Sequence, residues 1–302
     1  MPATPDQIKN ANIRYHDVAA PDYDAKWAID FGPVGQEQVR AKLVKALGVE
    51  PRRPFGDALE IGAGTGYFSL NLLQLELIER ATASDISQGM LDTLGDSARR
   101  LGVSVDRMRA EAEDLPWADE SFDVVFGHAV LHHVPDLERA FAEFRRVLRP
   151  GGVLAFCGEP SRYGDRIAAL PKRGGALVAP LWRRLVGADA RADDDPAAAR
   201  NGHQLESEVD VHAFAPGDLR GALGRAGFES SRVRGEELIA NAYGWLLRSL
   251  EGSAEPDQVS MRWRRFAFRS YLRLQRLDAR VLEPRLPPQV FYNLVLSARR
   301  PG

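Results

Sequence analysis

The sequence predicts an α/β protein built on a doubly wound, mostly parallel sheet with helical insertions added to it. Three observations predict this. From Asp57 to Cys157, short apolar runs alternate with stretches of helical period, the pattern of a parallel sheet covered by helices. "ALEIGAGTGYFSLNLL", residues 58–73, joins one such run to a helix through three crowded glycines. Two long stretches, 160–213 and 237–288, interrupt the alternation, which resumes after each.

Length and composition permit this reading. The 302 residues, 44% of them apolar, suffice for one large core or two modest ones. The formal net charge of −2 gives the molecule as a whole no field to draw it to nucleic acid or an anionic membrane. The charge is unevenly spread: residues 1–160 carry 17 basic against 25 acidic side chains, and residues 161–302 carry 23 against 17. Cys157 is the single cysteine, which excludes a disulfide framework and any cysteine-rich metal site. "MPATPDQIKN" has no basic start followed by an apolar segment, and no apolar run approaches 18 residues. The expectation is a cytoplasmic protein without integral membrane association.

Taken in order, the strands expected are Ala58–Ile61, Ala81–Ser84, Met108–Glu111, Phe122–Gly127 and Val153–Cys157. Phe68, Leu72, Leu73 and the run Leu75–Ile78 suggest a buried helix face. Leu137, Phe141, Phe144, Val147 and Leu148 suggest another, stopped at Pro150-Gly151-Gly152. The first insertion holds apolar residues from Ile167 to Val186, then "ADARADDDPAAARNG", whose Ala/Asp bias suggests a mobile loop. Pro216 opens a helix that Gly227 closes before a strand near Ser230–Arg234, and "QVFYNLVLSARR" alternates like a final strand. The second insertion reads as helical. Its segment "MRWRRFAFRSYLRLQRLDARVL" carries seven arginines and an amphipathic stripe of Trp263, Phe266, Leu274, Leu277 and Val281. The expectation is a cap helix with that stripe on the core and its arginines solvated, the alternative being an anionic-substrate or membrane-surface contact.

The glycine loop points to a ligand, because a strand, a glycine turn and a helix present helix N-terminal N–H groups at the carboxyl edge of the sheet. Gly62-x-Gly64-x-Gly66 followed by Tyr67 is not a dinucleotide fingerprint, and a phosphate loop would need Gly-Lys-Ser/Thr. Asp85 ends the second strand 19 residues after Gly66, where a carboxylate can accept both ribose hydroxyls. Asp114 could accept the exocyclic amine of adenine, with Ile86 and Leu115 as apolar faces for the ring. Ribose and adenine without phosphate indicate a nucleoside.

"ALEIGAGTG", "ATASDISQGML", "EAEDLPWADESFDVVFGHAVLHHVPD" and "RRVLRPGGVLAFCGEP", in this order and spacing, resemble the class I S-adenosylmethionine-dependent methyltransferases. The later "FAPGDLRGALGRAGF" resembles the helix before the last hairpin of that family. The resemblance implies a Rossmann-like, seven-stranded sheet with the last strand antiparallel, and S-adenosylmethionine as cofactor. It implies that Glu60, Gly62, Ala63, Gly64, Gly66, Asp85, Ile86, Met90, Glu113, Asp114 and Leu115 surround the cofactor, with Gly127 and His128 at its methionine end. It also implies N-terminal helices, residues 1–39, folding over the cofactor, where Tyr15, Tyr23 or Trp27 could bring a ring to the sulfonium. The remaining divisions expected are a core at 40–159, 214–236 and 289–302, with 160–213 and 237–288 as helical lids.

His133, His132 and His128, in that order, are the candidate bases, needed only if the acceptor arrives protonated. No metal is expected, since carboxylate partners at ligand spacing are missing. Base methylation is disfavoured, because Gly127-His128-Ala129-Val130 stands where nucleic-acid amine methyltransferases carry Asn/Asp-Pro-Pro-aromatic. The apolar content of Ile167–Val186 and Asn241–Leu250 suggests a small, largely apolar acceptor such as a secondary metabolite or lipid-like molecule, and the resemblance puts O-methylation first by its frequency in the family, with N- or C-methylation open. Cyclisation or hydroxylation on the same fold, and a non-catalytic nucleoside sensor, are the alternatives; a homodimer is left open.

Overall fold

The computed structural model describes residues 4–27, 29–191 and 212–302. The chain enters through α1 (Pro5–Ala19), where Thr4 accepts the Gln7 amide and the Gln7 side chain returns to the Thr4 amide. A short turn leads to α2 (Tyr23–Trp27) and then α3 (Pro33–Leu47). The strands are β1 (Phe55–Ile61), β2 (Ile78–Asp85), β3 (Asp106–Arg109), β4 (Phe122–His128), β5 (Leu148–Pro160), β6 (Glu229–Glu236) and β7 (Asn293–Arg299). They form one sheet in the order β3-β2-β1-β4-β5-β7-β6. Strands β1 to β5 pair in parallel. Gly151, early in β5, bonds to Arg300, while Ser161, just past its end, bonds to Tyr292, so β7 runs antiparallel to β5.

Helices α4 (Tyr67–Gln74), α5 (Gln88–Leu101) and α6 (Leu137–Val147) make the parallel crossovers. Ser87 caps α5 by accepting the Met90 amide, and Asp136 caps α6 by accepting the Arg139 amide. Phe68, Phe126, Phe141, Phe144 and Phe156 are wholly buried. Each contributes roughly 1.5–3 kcal/mol relative to an exposed ring.

The element bounds differ from the sequence reading: β1, β2, β4 and β5 extend beyond the expected runs, and β3 is Asp106–Arg109 rather than Met108–Glu111. Helix α4 ends at Gln74 rather than extending through Ile78, which instead heads β2. Glu76 turns left-handed at φ 54°, and the amides of Glu76 and Leu77 bond back to Leu73 and Leu72. The spacing of Leu72, Leu73, Leu75, Leu77 and Ile78 hid that break, because so short an apolar run fits a helix face and the start of a strand equally well. Pro150-Gly151-Gly152 likewise lies inside β5; α6 stops at Val147, and the strand begins at once with Leu148.

The backbone divides into two units: Met1–Glu159 with Leu205–Val233 and Val295–Gly302, and Pro160–Gln204 with Arg234–Leu294. The first holds the nucleotide-type core and α8 (Pro216–Arg225), starting at the expected proline. The second collects α7 (Gly164–Val186), α9 (Ile239–Glu251) and α10 (Met261–Leu277). Its core joins Ala179 and Trp182 of α7, Leu250 of α9, and Ala254 and Val259, with Trp263 packed against them. Asp278 is fully buried, where its carboxylate accepts the amides of Leu238, Ile239 and Ala240 at the start of α9. The apolar stripe expected to pack along α10 does not bury as a whole: Phe266, Leu277 and Val281 are exposed. Beyond Arg191, the Ala/Asp-rich stretch lies outside the described residues.

Candidate active site

Elementary backbone geometry shapes the end of β1. Gly62, Gly64 and Gly66 all have left-handed φ values, 60°, 52° and 92°. Gly66 thereby caps α4, and its amide bonds to the Ala63 carbonyl. A side chain at Gly62 would meet Val130 Cγ2 at 2.2 Å, so this glycine serves packing. At Gly64 nothing stands within 4 Å, because the missing Cβ would point into a cavity.

That cavity, about 730 Å³ with its open mouth included, lies at the carboxyl ends of β1, β2 and β4. Gly62 and Gly64 form one part of its wall, Asp85 and Ile86 another, and Ala110 to Glu113 a third. The opposite wall comes from Lys9, Asn12 and His16 of α1, with Tyr23 of α2. His128, Ala129, Val130 and the segment His133–Pro135 complete it.

Asp85 is buried beside the loop. One carboxylate oxygen accepts the Gly64 amide at 2.8 Å and the other accepts the Ser87 amide at 2.8 Å. Burial pushes its pKa above the ordinary carboxylate value, against the opposing pull of His16 and three backbone amides. Each oxygen keeps lone-pair capacity beyond these bonds, so ligand hydroxyls can also be accepted. Glu60, in β1 and outside the cavity wall, accepts the Ser69 amide at 3.0 Å. Burial raises its pKa to about 8, the Ser69 hydrogen bonds opposing and nearby Asp85 adding to the rise.

Helix α1 is fastened at both ends. Asp17 accepts from Ser87 Oγ at 2.5 Å and from the Gly89 amide at 3.0 Å. Lys9 reaches Glu111 at 2.6 Å and Glu113 at 3.5 Å. Burial alone would lower the Lys9 pKa; these two carboxylates outweigh it and raise the value. Between the two fastenings, Asn12 donates to Ile8 O, while its Oδ1 is buried without a partner in the protein. A buried acceptor on a cavity wall calls for a donor on the ligand.

The histidines divide into different environments. His128 stacks on Phe68 with centroids 4.9 Å apart and lines the cavity. His133 lines it too, its ring 5.7 Å from His16 and 3.9 Å from His132. His132 does not belong to the wall. It is buried, with Nδ1 2.9 Å from Glu159, a carboxylate with no exposure that also gathers the amides of Val130, Leu131 and His132.

Several expected cofactor residues are therefore redistributed. Asp114 is exposed and absent from the wall; its amide bonds back to the Glu111 carbonyl, and Glu111 and Glu113 face the cavity in its place. Leu115 is buried away from it, its amide given to Glu143, because the Arg146–Glu143 pair holds that loop on α6. Ala63, Gly66, Met90 and Gly127 support the wall from behind rather than line it. Of the three N-terminal rings, Tyr23 lines the cavity and Tyr15 and Trp27 do not. Burial raises the Tyr23 hydroxyl pKa, with Tyr15 and Asp85 adding to it. Lys9, Asn12, His16 and Glu111 were missed from sequence. Only Glu111, the first acid of "EAEDLPW", carried a signal.

A deep cavity at a glycine turn, with an acid after each of two neighbouring strands and no room given to a phosphate-binding lysine motif, defines a nucleoside-cofactor site. The match to known proteins agrees. A family model described as a methyltransferase domain matches residues 59–156. The malonyl-[acyl-carrier protein] O-methyltransferase of Geobacter sulfurreducens is 32% identical over 240 residues, 77% of this chain and 74% of that one. The enzyme of the same name from Methylococcus capsulatus is 38% identical over 65% of this chain and 64% of its own length. Among solved structures, phosphoethanolamine N-methyltransferase 2 of Haemonchus contortus has the same fold, with a TM-score of 0.60 at 16% identity over 98% of this chain and 61% of that one. The chain belongs to the class I S-adenosylmethionine-dependent methyltransferases. S-adenosylmethionine is accordingly its cofactor.

Proposed function

We propose that this methyltransferase transfers a methyl group to the oxygen of a small, largely apolar acceptor, with His133 taking the acceptor's proton. The observation that carries the reading is one cavity bounded by Gly64 and Asp85 on one side and by His133 on the other. The O-methyltransferase activity in the names of the Geobacter and Methylococcus relatives supports oxygen as the attacking atom.

The donor set fits the cofactor: Gly64 leaves open the space a Cβ would fill, Asn12 has an unanswered acceptor, and Asp85 offers a carboxylate at the loop. In this proposal Asp85 receives the ribose hydroxyls, Ile86 and Ala112 flank the adenine, and Glu111 rather than Asp114 receives its amine. Tyr23 and His128 attend the methionine end. S-adenosylmethionine, when bound, supplies a methyl group already activated by a positive sulfur. What remains for the protein is to hold the acceptor in line and exclude water, and such positioning can lower a barrier by roughly 7–11 kcal/mol. The walls contributed by α1 and Tyr23 exclude the water. His133 receives the hydroxyl proton, and His132, oriented by Glu159, packs behind it.

The test is incubation of the protein with S-adenosylmethionine labelled at the methyl group and with cell extract, followed by fractionation. Label is expected in an organic-soluble ester or ether, with one S-adenosylhomocysteine formed per label. Label confined to protein or nucleic acid would overturn the small acceptor, and label on an acyl-carrier protein would replace it with a carrier-bound one. Turnover without S-adenosylhomocysteine would overturn methyl transfer itself.

A further inference from the structure

The second unit carries a feature that methyl transfer does not require. On α7, Ile167, Leu170, Leu177, Val178, Leu181 and Leu185 are all exposed, and Leu170, Leu177 and Leu185 reach 72%, 82% and 78%. At 3.6 residues per turn these six fall within roughly 100° of arc, a stripe about 27 Å long. Arg166, Arg173 and Arg184 are exposed along one edge of the stripe, and no acidic residue occurs between Arg166 and Val186. The packed side of the helix lies beyond the other edge, where Ala179 and Trp182 join the core of the unit. Lys172 is not part of the basic edge, since its ammonium stands over the Trp245 ring at 3.8 Å.

Helix α10 and the turn that follows it repeat the combination in a second form. Arg262, Arg265, Arg269, Arg273, Arg276 and Arg280 are exposed and fall within roughly 80° of arc. The seventh arginine, Arg264, is turned to the Pro256 carbonyl. Met261 and Phe268 are exposed on one side of this arginine row, Phe266 and Leu277 on the other. Met261–Leu277 contains no acidic residue.

We propose that α7 and α10 form a docking surface for an anionic lipid bilayer. Charge complementarity selects this occupant: two helices expose nine arginines beside apolar side chains, so the apolar groups can enter the acyl boundary while the guanidinium groups meet lipid phosphates. An exposed stripe of branched aliphatic side chains on α7 suits lipid better than a protein interface, whose anchors are chiefly aromatic. No helix among the described residues is long and apolar enough to span a membrane, so contact is with the surface. This inference is independent of the methyl-transfer reading.

Sedimentation of the full-length protein with lipid vesicles tests it. The protein is expected to pellet with vesicles of phosphatidylglycerol and phosphatidylcholine in equal parts, to stay in solution with phosphatidylcholine alone, and to be released by salt. Arg265→Gln/Arg269→Gln/Arg273→Gln should weaken partitioning about 100-fold, roughly fivefold per arginine. Leu177→Glu/Leu181→Glu should abolish it with an unchanged thermal midpoint, since both sites are exposed. Failure of the wild type to pellet with either vesicle, equal pelleting with both, or full retention by the two variants would overturn the proposal. So would a wild-type dimer in light scattering that Leu177→Glu/Leu181→Glu makes monomeric, because a second copy would then cover the stripe.

Discussion

Gly62 and Gly64 provide a paired experiment in which strain and ligand contact separate. Both residues are left-handed, at φ 60° and 52°, so alanine at either site incurs a similar backbone cost of about 1–2 kcal/mol. They differ in what the new methyl meets. At Gly62 it would fall 2.2 Å from a branched Val130 methyl, whereas at Gly64 it meets no protein atom within 4 Å. Gly64→Ala should therefore lower the melting temperature by only about 2–4 °C per kcal/mol of strain. Gly62→Ala adds an overpacking cost of typically 1–3 kcal/mol and should melt lower or fail to fold. Binding should rank the other way. The Gly64 methyl occupies ligand space, and the same 1–3 kcal/mol then appears as an affinity for S-adenosylhomocysteine weakened about 5- to 150-fold. Scanning calorimetry and isothermal titration on the two variants measure both quantities. A folded Gly64→Ala protein with wild-type affinity would refute the reasoning, because the cofactor could not then lie against this loop.

Three further outcomes are expected. Glu60 has a pKa raised from 4.5 to about 8, so between those values the unfolded chain loses a proton that the folded one keeps. Stability should fall as pH rises through that window, with a slope up to about 1.4 kcal/mol per pH unit, and urea titrations of Glu60→Gln should show the slope reduced. His133→Asn should lower kcat about 10²- to 10⁴-fold, with cofactor affinity by calorimetry unchanged. Glu111→Gln should weaken S-adenosylhomocysteine binding about fivefold to tenfold, while Asp114→Asn leaves it intact in the same titration.

How much of this was legible beforehand follows from the range of each interaction. The parallel strands, the glycine loop and Asp85 rest on neighbours in sequence, where apolar runs and left-handed glycines leave plain marks. Asp114 was misplaced because nothing local tells which acid of "EAEDLPW" turns inward. That choice is made by Arg146, which grips Glu143 and carries the Leu115–Trp117 backbone with it. His132 was misread for a similar reason: its partner Glu159 lies 27 positions away, at the end of β5. The wall residues of α1 were invisible because Lys9 and Asn12 sit on an ordinary amphipathic helix. Their role comes from Asp17 meeting Ser87 across 70 positions.

The double fastening of α1 separates two properties that usually change together. Asp17 holds the helix to the cap of α5, and Lys9 closes it against Glu111 and Glu113 at the other end. Removing the lysine end alone would free that edge of the wall while leaving the attachment of Asp17 to Ser87 and Gly89 in place.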